Sequence, residues 1–205
     1  MSIDIPTLDR AADSVLATGA SRTLPLSAFP DVVLFTPKRF HDARGFFSET
    51  FSLRGLEALG INETWVQDNF SLSLDKGVVR GLHLQRPPMA QAKLIRVNRG
   101  AIFDVVVDMR PNSANFGCHA WVELSADEWN QLYIPEGFAH GFCTLTSETE
   151  VMYKASRYYS PEHELGVLWD DPALGIPWPV DGPAALLSPK DTRNLPFAEI
   201  DPIDW

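Results

Sequence analysis

From Val32 onward the chain alternates short apolar runs with turn residues at close, even spacing. The runs 32–35, 45–51, 78–84, 94–97, 101–109, 116–124, 131–134, 138–145 and 150–155 read as strands. Breakers separate most of them: Asn98-Arg99-Gly100, Pro111-Asn112-Ser113, Pro135-Glu136-Gly137 and Thr146-Ser147-Glu148. Many short strands at such spacing predict an all-β sandwich or barrel. One helix is predicted over 52–59, with Ser52 as N-cap, Leu56 and Leu59 on its buried face and Gly60 as terminator.

The two ends depart from this rhythm. Residues 8–16 have the pattern of a short amphipathic helix, interrupted afterwards by Gly19 and Ser21, so 1–28 is expected to be an extension. The remainder, 29–205, is expected to be one domain, which the length of 205 residues suits. Half of the 16 prolines lie within 161–205, which rules out a long helix or central strand there. Trp169, Trp178 and Trp205 carry too much aromatic surface for a free tail, so this Pro-rich part is expected to wrap over the barrel as ordered loops.

Composition narrows the partners. With 17 Lys+Arg against 27 Asp+Glu the formal net charge is −10, which argues against a general nucleic-acid binder. A small anionic substrate needs only a few local cations and is unaffected by that balance. No run approaches the ~20 apolar residues of a membrane span. The N-terminus carries Asp4, Asp9 and Asp13 without an apolar centre. Cys118 and Cys143 read as apolar thiols in a reducing compartment. A cytoplasmic protein without membrane or nucleic-acid partners is expected.

Proton chemistry enters with the five histidines, His41, His83, His119, His140 and His163. His83 closes Arg80-Gly81-Leu82-His83, and His140 closes Pro135-Glu136-Gly137-Phe138-Ala139-His140. The second stretch resembles the Pro-x-Gly-x-x-His motif of the cupin jelly roll, whose histidine usually binds metal. The first cupin motif supplies His-x-His and then Glu. Here His83-Leu84-Gln85 runs on through Met89, Ala90, Gln91 and Lys93 with no carboxylate. Two imidazoles, an amide and a repelling lysine make a poor divalent-cation site. The expectation is therefore a cupin-like jelly-roll sandwich or barrel with a few short helices and no metal or other cofactor. Its histidines are then free to move protons near neutral pH. His41, His119 and His163 read as structural, and so does Asp104 inside the apolar run 102–107.

A longer set of stretches resembles the dTDP-4-dehydrorhamnose 3,5-epimerase family of deoxysugar nucleotide synthesis. They are Arg44-Gly45-Phe46-Phe47-Ser48-Glu49, Gln67-Asp68-Asn69-Phe70-Ser71, Val79-Arg80-Gly81-Leu82-His83 and Ala92-Lys93-Leu94. Further along come Phe103-Asp104-Val105-Val106-Val107-Asp108, Ile134-Pro135-Glu136-Gly137-Phe138-Ala139-His140-Gly141-Phe142, Tyr158-Tyr159-Ser160-Pro161 and Ser188-Pro189-Lys190-Asp191. They run in order from about residue 29 to 192.

The resemblance implies an isomerase that needs no metal. Its substrate is a dTDP-linked 4-keto-6-deoxyhexose, inverted at C3 and C5 on the way to rhamnose. Both carbons flank the C4 ketone, so a base, an opposed acid and a cation near the developing oxyanion suffice. By resemblance His83 is the base, Asp191 the carboxylate paired with it and Tyr153 the acid on the opposite face. Lys93 lies by the keto group, and His140 contacts the substrate. Arg44 and Arg80 match arginines that hold the diphosphate, a role suited to guanidinium forks. Glu49, Gln67, Asp68 and Asn69 match nucleoside contacts, some reached across a homodimer interface. Tyr159 matches an aromatic packed on the base, and Glu164 and Lys190 match further polar contacts.

Three features depart from the family pattern. Leu84 stands where an aromatic is common and is expected to alter one wall of the cavity. Phe70 replaces a polar residue, and the extension is longer than usual. These leave alternatives open: epimerisation at C3 alone, a metal-dependent cupin using His83 and His140, or a binder of nucleotide sugars without turnover. Retention of His83, Tyr153 and Asp191 together argues against the binder.

Overall fold

The alternating runs pair into two five-stranded sheets in a computed structural model, which describes residues 22–205. The helical pattern at 8–16 lies outside the described residues. In chain order the elements are β1 (Val33–Phe35), β2 (Phe40–Asp42), β3 (Gly45–Phe47), α1 (Leu53–Glu57), β4 (Gln67–Ser73), β5 (Val79–Gln85) and β6 (Lys93–Arg99). There follow β7 (Ala101–Asp108), β8 (His119–Ser125), β9 (Gln131–Ile134), β10 (Phe138–Thr144), β11 (Thr149–Ala155) and β12 (Glu164–Gly166). One sheet has the order β1-β9-β6-β11-β4 and the other β12-β5-β10-β7-β8, while β2 and β3 form a separate hairpin. This is the expected cupin-like all-β sandwich. No helix among the described residues is long and apolar enough to cross a membrane.

Strand alternation sorts the side chains into three layers. Between the sheets lie Ile95, Val97, Ile102, Val106, Leu132, Ile134, Phe142 and Val151. Behind the second sheet, Val79, Leu82, Leu84, Val105 and Val107 meet Trp169, Leu174 and Ile203 from the C-terminal segment. That segment lies over this sheet: its turns are short 3-10 pieces, and the Trp178 indole donates to Trp169 O at 2.7 Å. On the outer face of the first sheet, Leu56 of α1 packs with Phe35, Leu94 and Tyr133. Ser52 caps α1 by accepting from the Gly55 N–H, the role its position predicts.

Packing also extends the domain a little toward the N-terminus. His119 N–H donates to Arg22 O and Leu24 N–H donates to His119 O, each at 2.8 Å. Leu24, Leu26 and Ala28 then lie against the core between the sheets. Residues 22–28 thus pack with the domain, although they were expected in the extension.

Apolar and polar halves divide the interior. Facing inward from β4 are Gln67, Asn69, Ser71 and Ser73, and from β5 Arg80, His83 and Gln85. Arg80 owes this orientation to a bulge. His140 pairs with His83, yet Phe142 pairs with Arg80, so β5 spends one more residue than β10 over this stretch. Strict alternation places Gly81 beside His83, whereas the bulge substitutes Arg80. Gly81 has φ +127°, and a Cβ there would lie 2.6 Å from Gly141 Cα. The missing side chain is what lets β5 and β10 close together with both histidines abreast.

Candidate active site

His83 is held from behind. Its Nε2 lies 2.5 Å from Asp191 Oδ1, and the Ser188 hydroxyl donates to Asp191 Oδ2 at 2.8 Å. Burial opposes ionisation of Asp191, but the His83 and Ser188 hydrogen bonds and the His83 and Lys190 charges outweigh it. Its carboxyl therefore stays below the ordinary range. With Nε2 committed to the carboxylate, Nδ1 is the nitrogen left to take a proton from a ligand.

Lys93 reaches the same place from the other sheet. Its ammonium donates to the backbone oxygen of His83 at 3.2 Å. Burial lowers its pKa to about 8, against the charges of Asp104 and Glu164. Tyr153 also faces inward from the first sheet, paired with Ile95 and Asn69. Burial raises its pKa, so the phenol stays protonated at neutral pH and can act as an acid. His140 adjoins His83 on β10, with its Nε2 2.9 Å from Asp104 Oδ2.

A chain of polar contacts borders this centre. Asn69 Oδ1 accepts from Gln67 Nε2 at 2.9 Å, and Gln67 Oε1 accepts from the Tyr159 N–H at 2.9 Å. The Tyr159 hydroxyl donates to Glu164 Oε2 at 2.6 Å, and Lys190 forms an ion pair with Glu164. Gln85, expected only as a failed metal ligand, anchors the neighbouring loop. Its amide donates to Met89 O and Tyr158 O, and its oxygen accepts from the Ser160 N–H at 2.7 Å. Arg80 donates to Ser73 Oγ and Leu72 O beneath Tyr153, whose phenol feels its charge.

Other residues singled out in the sequence lie elsewhere. Asp68 points to the outer face of the first sheet and pairs with Lys154 at 2.8 Å. Strand alternation turns it away from Gln67 and Asn69. Arg44 and Glu49 lie on and after the exposed hairpin, where their hydrogen bonds go to Asp42 and Ser52. Leu84 packs behind the second sheet and so forms no wall of the cavity, since it alternates with His83. Phe70 is 60% exposed on the outer face. His119 is bound to Thr23 and His163 to Ser160, in keeping with structural roles.

Chemically, an imidazole–carboxylate pair and a half-buried phenol on facing sheets, with an ammonium beside the imidazole, can move protons beside a carbonyl. The class this defines is a cupin-like isomerase. The chain matches the family model described as dTDP-4-dehydrorhamnose 3,5-epimerase over residues 27–199. It is 50% identical over 173 residues to the dTDP-4-dehydrorhamnose 3,5-epimerase of Shigella flexneri, covering 84% of this chain and 94% of that one. A crystal structure of the Bacillus anthracis enzyme with TDP and PPi bound superposes with a TM-score of 0.78 at 51% identity, covering 80% of this chain and 93% of the other. A Legionella pneumophila dTDP-6-deoxy-D-glucose-3,5-epimerase in complex with dTDP-4-keto-L-rhamnose gives 0.79 at 44% identity, covering 83% and 90%. This chain belongs to the dTDP-4-dehydrorhamnose 3,5-epimerase family.

Proposed function

We propose that the protein converts dTDP-4-dehydro-6-deoxy-D-glucose to dTDP-4-dehydro-L-rhamnose by inverting C3 and C5 without a metal ion. The observation that carries this reading is His83, backed by Asp191 on one sheet, set with a protonated Tyr153 on the facing sheet. His83 Nδ1 removes the proton alpha to the ketone, Lys93 stabilises the O4 oxyanion, and Tyr153 returns a proton to the other face. Asp191 holds the imidazole and offsets the charge it gains. Arg80 binds the diphosphate, while Gln67, Asn69, Tyr159, Glu164, Lys190 and His140 hold the nucleoside and sugar.

The direct test is solvent deuterium incorporation from dTDP-4-keto-6-deoxyglucose in D2O, followed by NMR. Label at both C3 and C5 is expected. Label at C3 alone would reduce the activity to a 3-epimerase, and no label would leave a nucleotide-sugar binder.

Lys93 adds a pH signature. An enolate-stabilising ammonium works below its pKa and is lost above it. The pKa of about 8 therefore predicts that kcat/KM falls as pH rises through 8. A profile flat far into the alkaline range would remove Lys93 from this role.

The proposed partner is a second copy of the chain. β4 is an edge strand whose outer face exposes Phe70 and Leu72, followed by Leu74, and the hairpin exposes Phe40, Phe46 and Phe47. An edge unpaired among the described residues, with this apolar surface, suits strand addition between protomers. Arg44, Glu49 and Asp68 would then serve a site shared with the partner. Light scattering is expected to give a dimer, and a fully active monomer would overturn this. A cytoplasmic setting suits its two free cysteines.

A further inference from the structure

The site contains a second imidazole–carboxylate pair with no place in the proton-transfer scheme. Asp104 is fully buried on β7, a strand interior to its sheet, and His140 stands beside the proposed base on β10. In register, Asp104 pairs with Phe142 and His140 with Val106, so both side chains face the interior between the sheets. His140 Nε2 lies 2.9 Å from Asp104 Oδ2, and His140 Nδ1 makes no hydrogen bond among the described residues. Asp104 Oδ1 is buried without a hydrogen-bond partner. A carboxylate left half-satisfied in an interior calls for a functional reason.

We propose that Asp104 is a positioning residue: by accepting the Nε2–H of His140 it fixes one tautomer and presents Nδ1 to the bound sugar nucleotide as a hydrogen-bond acceptor. The sugar in this statement rests on the function proposed above, whereas the tautomer does not.

Charge makes the assignment specific. Burial pushes the pKa of His140 down, and the charges of Lys93 and His83 act in the same direction against Asp104. The imidazole is therefore neutral near neutral pH and owns a single N–H. Asp104 accepts that N–H, so Nδ1 carries the lone pair. A lone pair repels a ketone oxygen, which has no hydrogen to give. His140 must therefore recognise a sugar hydroxyl, and the keto oxygen is left to Lys93. A neutral His140 also spares the developing enolate site a third cation beside Lys93 and a protonated His83. The roles of the two histidines follow: the first is a base, and the second selects a hydroxyl-bearing sugar.

Nitrogen-15 NMR of the imidazoles in the full-length protein tests this directly, with dTDP-glucose as the probe and dTDP as the control. The expected parent spectrum near neutral pH shows His140 protonated at Nε2 and bare at Nδ1. Its Nδ1 resonance moves on adding dTDP-glucose but not on adding dTDP. Asp104→Asn offers both a carbonyl and an amino group to Nε2, so the tautomers should mix. In that variant KM for the sugar nucleotide rises about tenfold, the worth of one hydrogen bond. The affinity for dTDP stays as in the parent, and kcat changes less than KM at a pH below the Lys93 limb. A parent His140 protonated at Nδ1, or an Asp104→Asn enzyme with unchanged tautomer and KM, would overturn the proposal. Should the variant fail to fold, the parent spectrum alone decides. A protein that inverts nothing but shows the Nε2–H tautomer would sink the proposed reaction and leave Asp104 in its role.

Discussion

His83→Ala is expected to abolish solvent exchange at both C3 and C5. One base on one face must start each inversion, because the two carbons are activated by the same ketone. The geometry leaves no substitute. His140 faces the same interior, but burial and the neighbouring Lys93 and His83 charges lower its basicity. Loss of a general base typically costs about 10²–10⁴ in rate. Asp191→Asn should fall between this variant and the parent, since the imidazole remains but loses the charge at 2.5 Å that orients it and offsets the charge it gains in the reaction. Each variant must first bind dTDP and melt like the parent, so that lost folding is not read as lost catalysis. Near-normal exchange in His83→Ala would end the assignment.

Much of the fold is legible because burial follows alternation. The runs at 131–134 and 101–109 coincide with β9 and, within a residue, with β7, where one or both faces are apolar. Ser52, Leu56 and Gly60 act in and after α1 as their residue types suggest. β4 escaped the same reading for a physical reason. Its apolar residues Phe70 and Leu72 face outward, while Gln67, Asn69, Ser71 and Ser73 face the interior. A rule that sends apolar side chains inward gives the wrong face at a polar site. β12 was invisible because a three-residue edge strand carries too little pattern.

The candidate site was legible chiefly through resemblance, which implied the pairing of His83 with Asp191 and the opposed Tyr153, whereas local pattern implied neither. His83 and Asp191 are 108 positions apart, and nothing local in Ser188-Pro189-Lys190-Asp191 announces their contact. Arg80 shows the limit of period-two reasoning, since a single extra residue in β5 moves it to the face of His83. Leu84 shows the converse. Its neighbour in sequence is the base, yet it belongs to a different layer. Asp104 reads as structural because it interrupts an apolar run, and only its contact with His140 ties it to the site. Sequence order identifies the side chains, but strand register decides which of them meet.

Tyr153→Phe should separate exchange from inversion. His83 would still form the enolate, and Lys93 would still stabilise it. A deuteron delivered back by His83 returns to the face it left, so label enters without a change of configuration. Net inversion needs a proton on the opposite face, and there the variant offers only a ring with no O–H. The missing donor should cost about 10²–10⁴ in net epimerisation, while exchange falls far less. Packing is not expected to confuse the result. The phenol oxygen has no hydrogen bond among the described residues, and the ring keeps its place beside the apolar core. Burial holds the parent phenol above its ordinary pKa, so its donor form persists through neutral pH and this difference between the enzymes should persist with it. The measurement is NMR of the product in D2O, with label and configuration scored separately at C3 and C5. Should Tyr153→Phe invert C5 as fast as the parent, the proton must come from another group, and the assignment of the acid falls while that of the base stands.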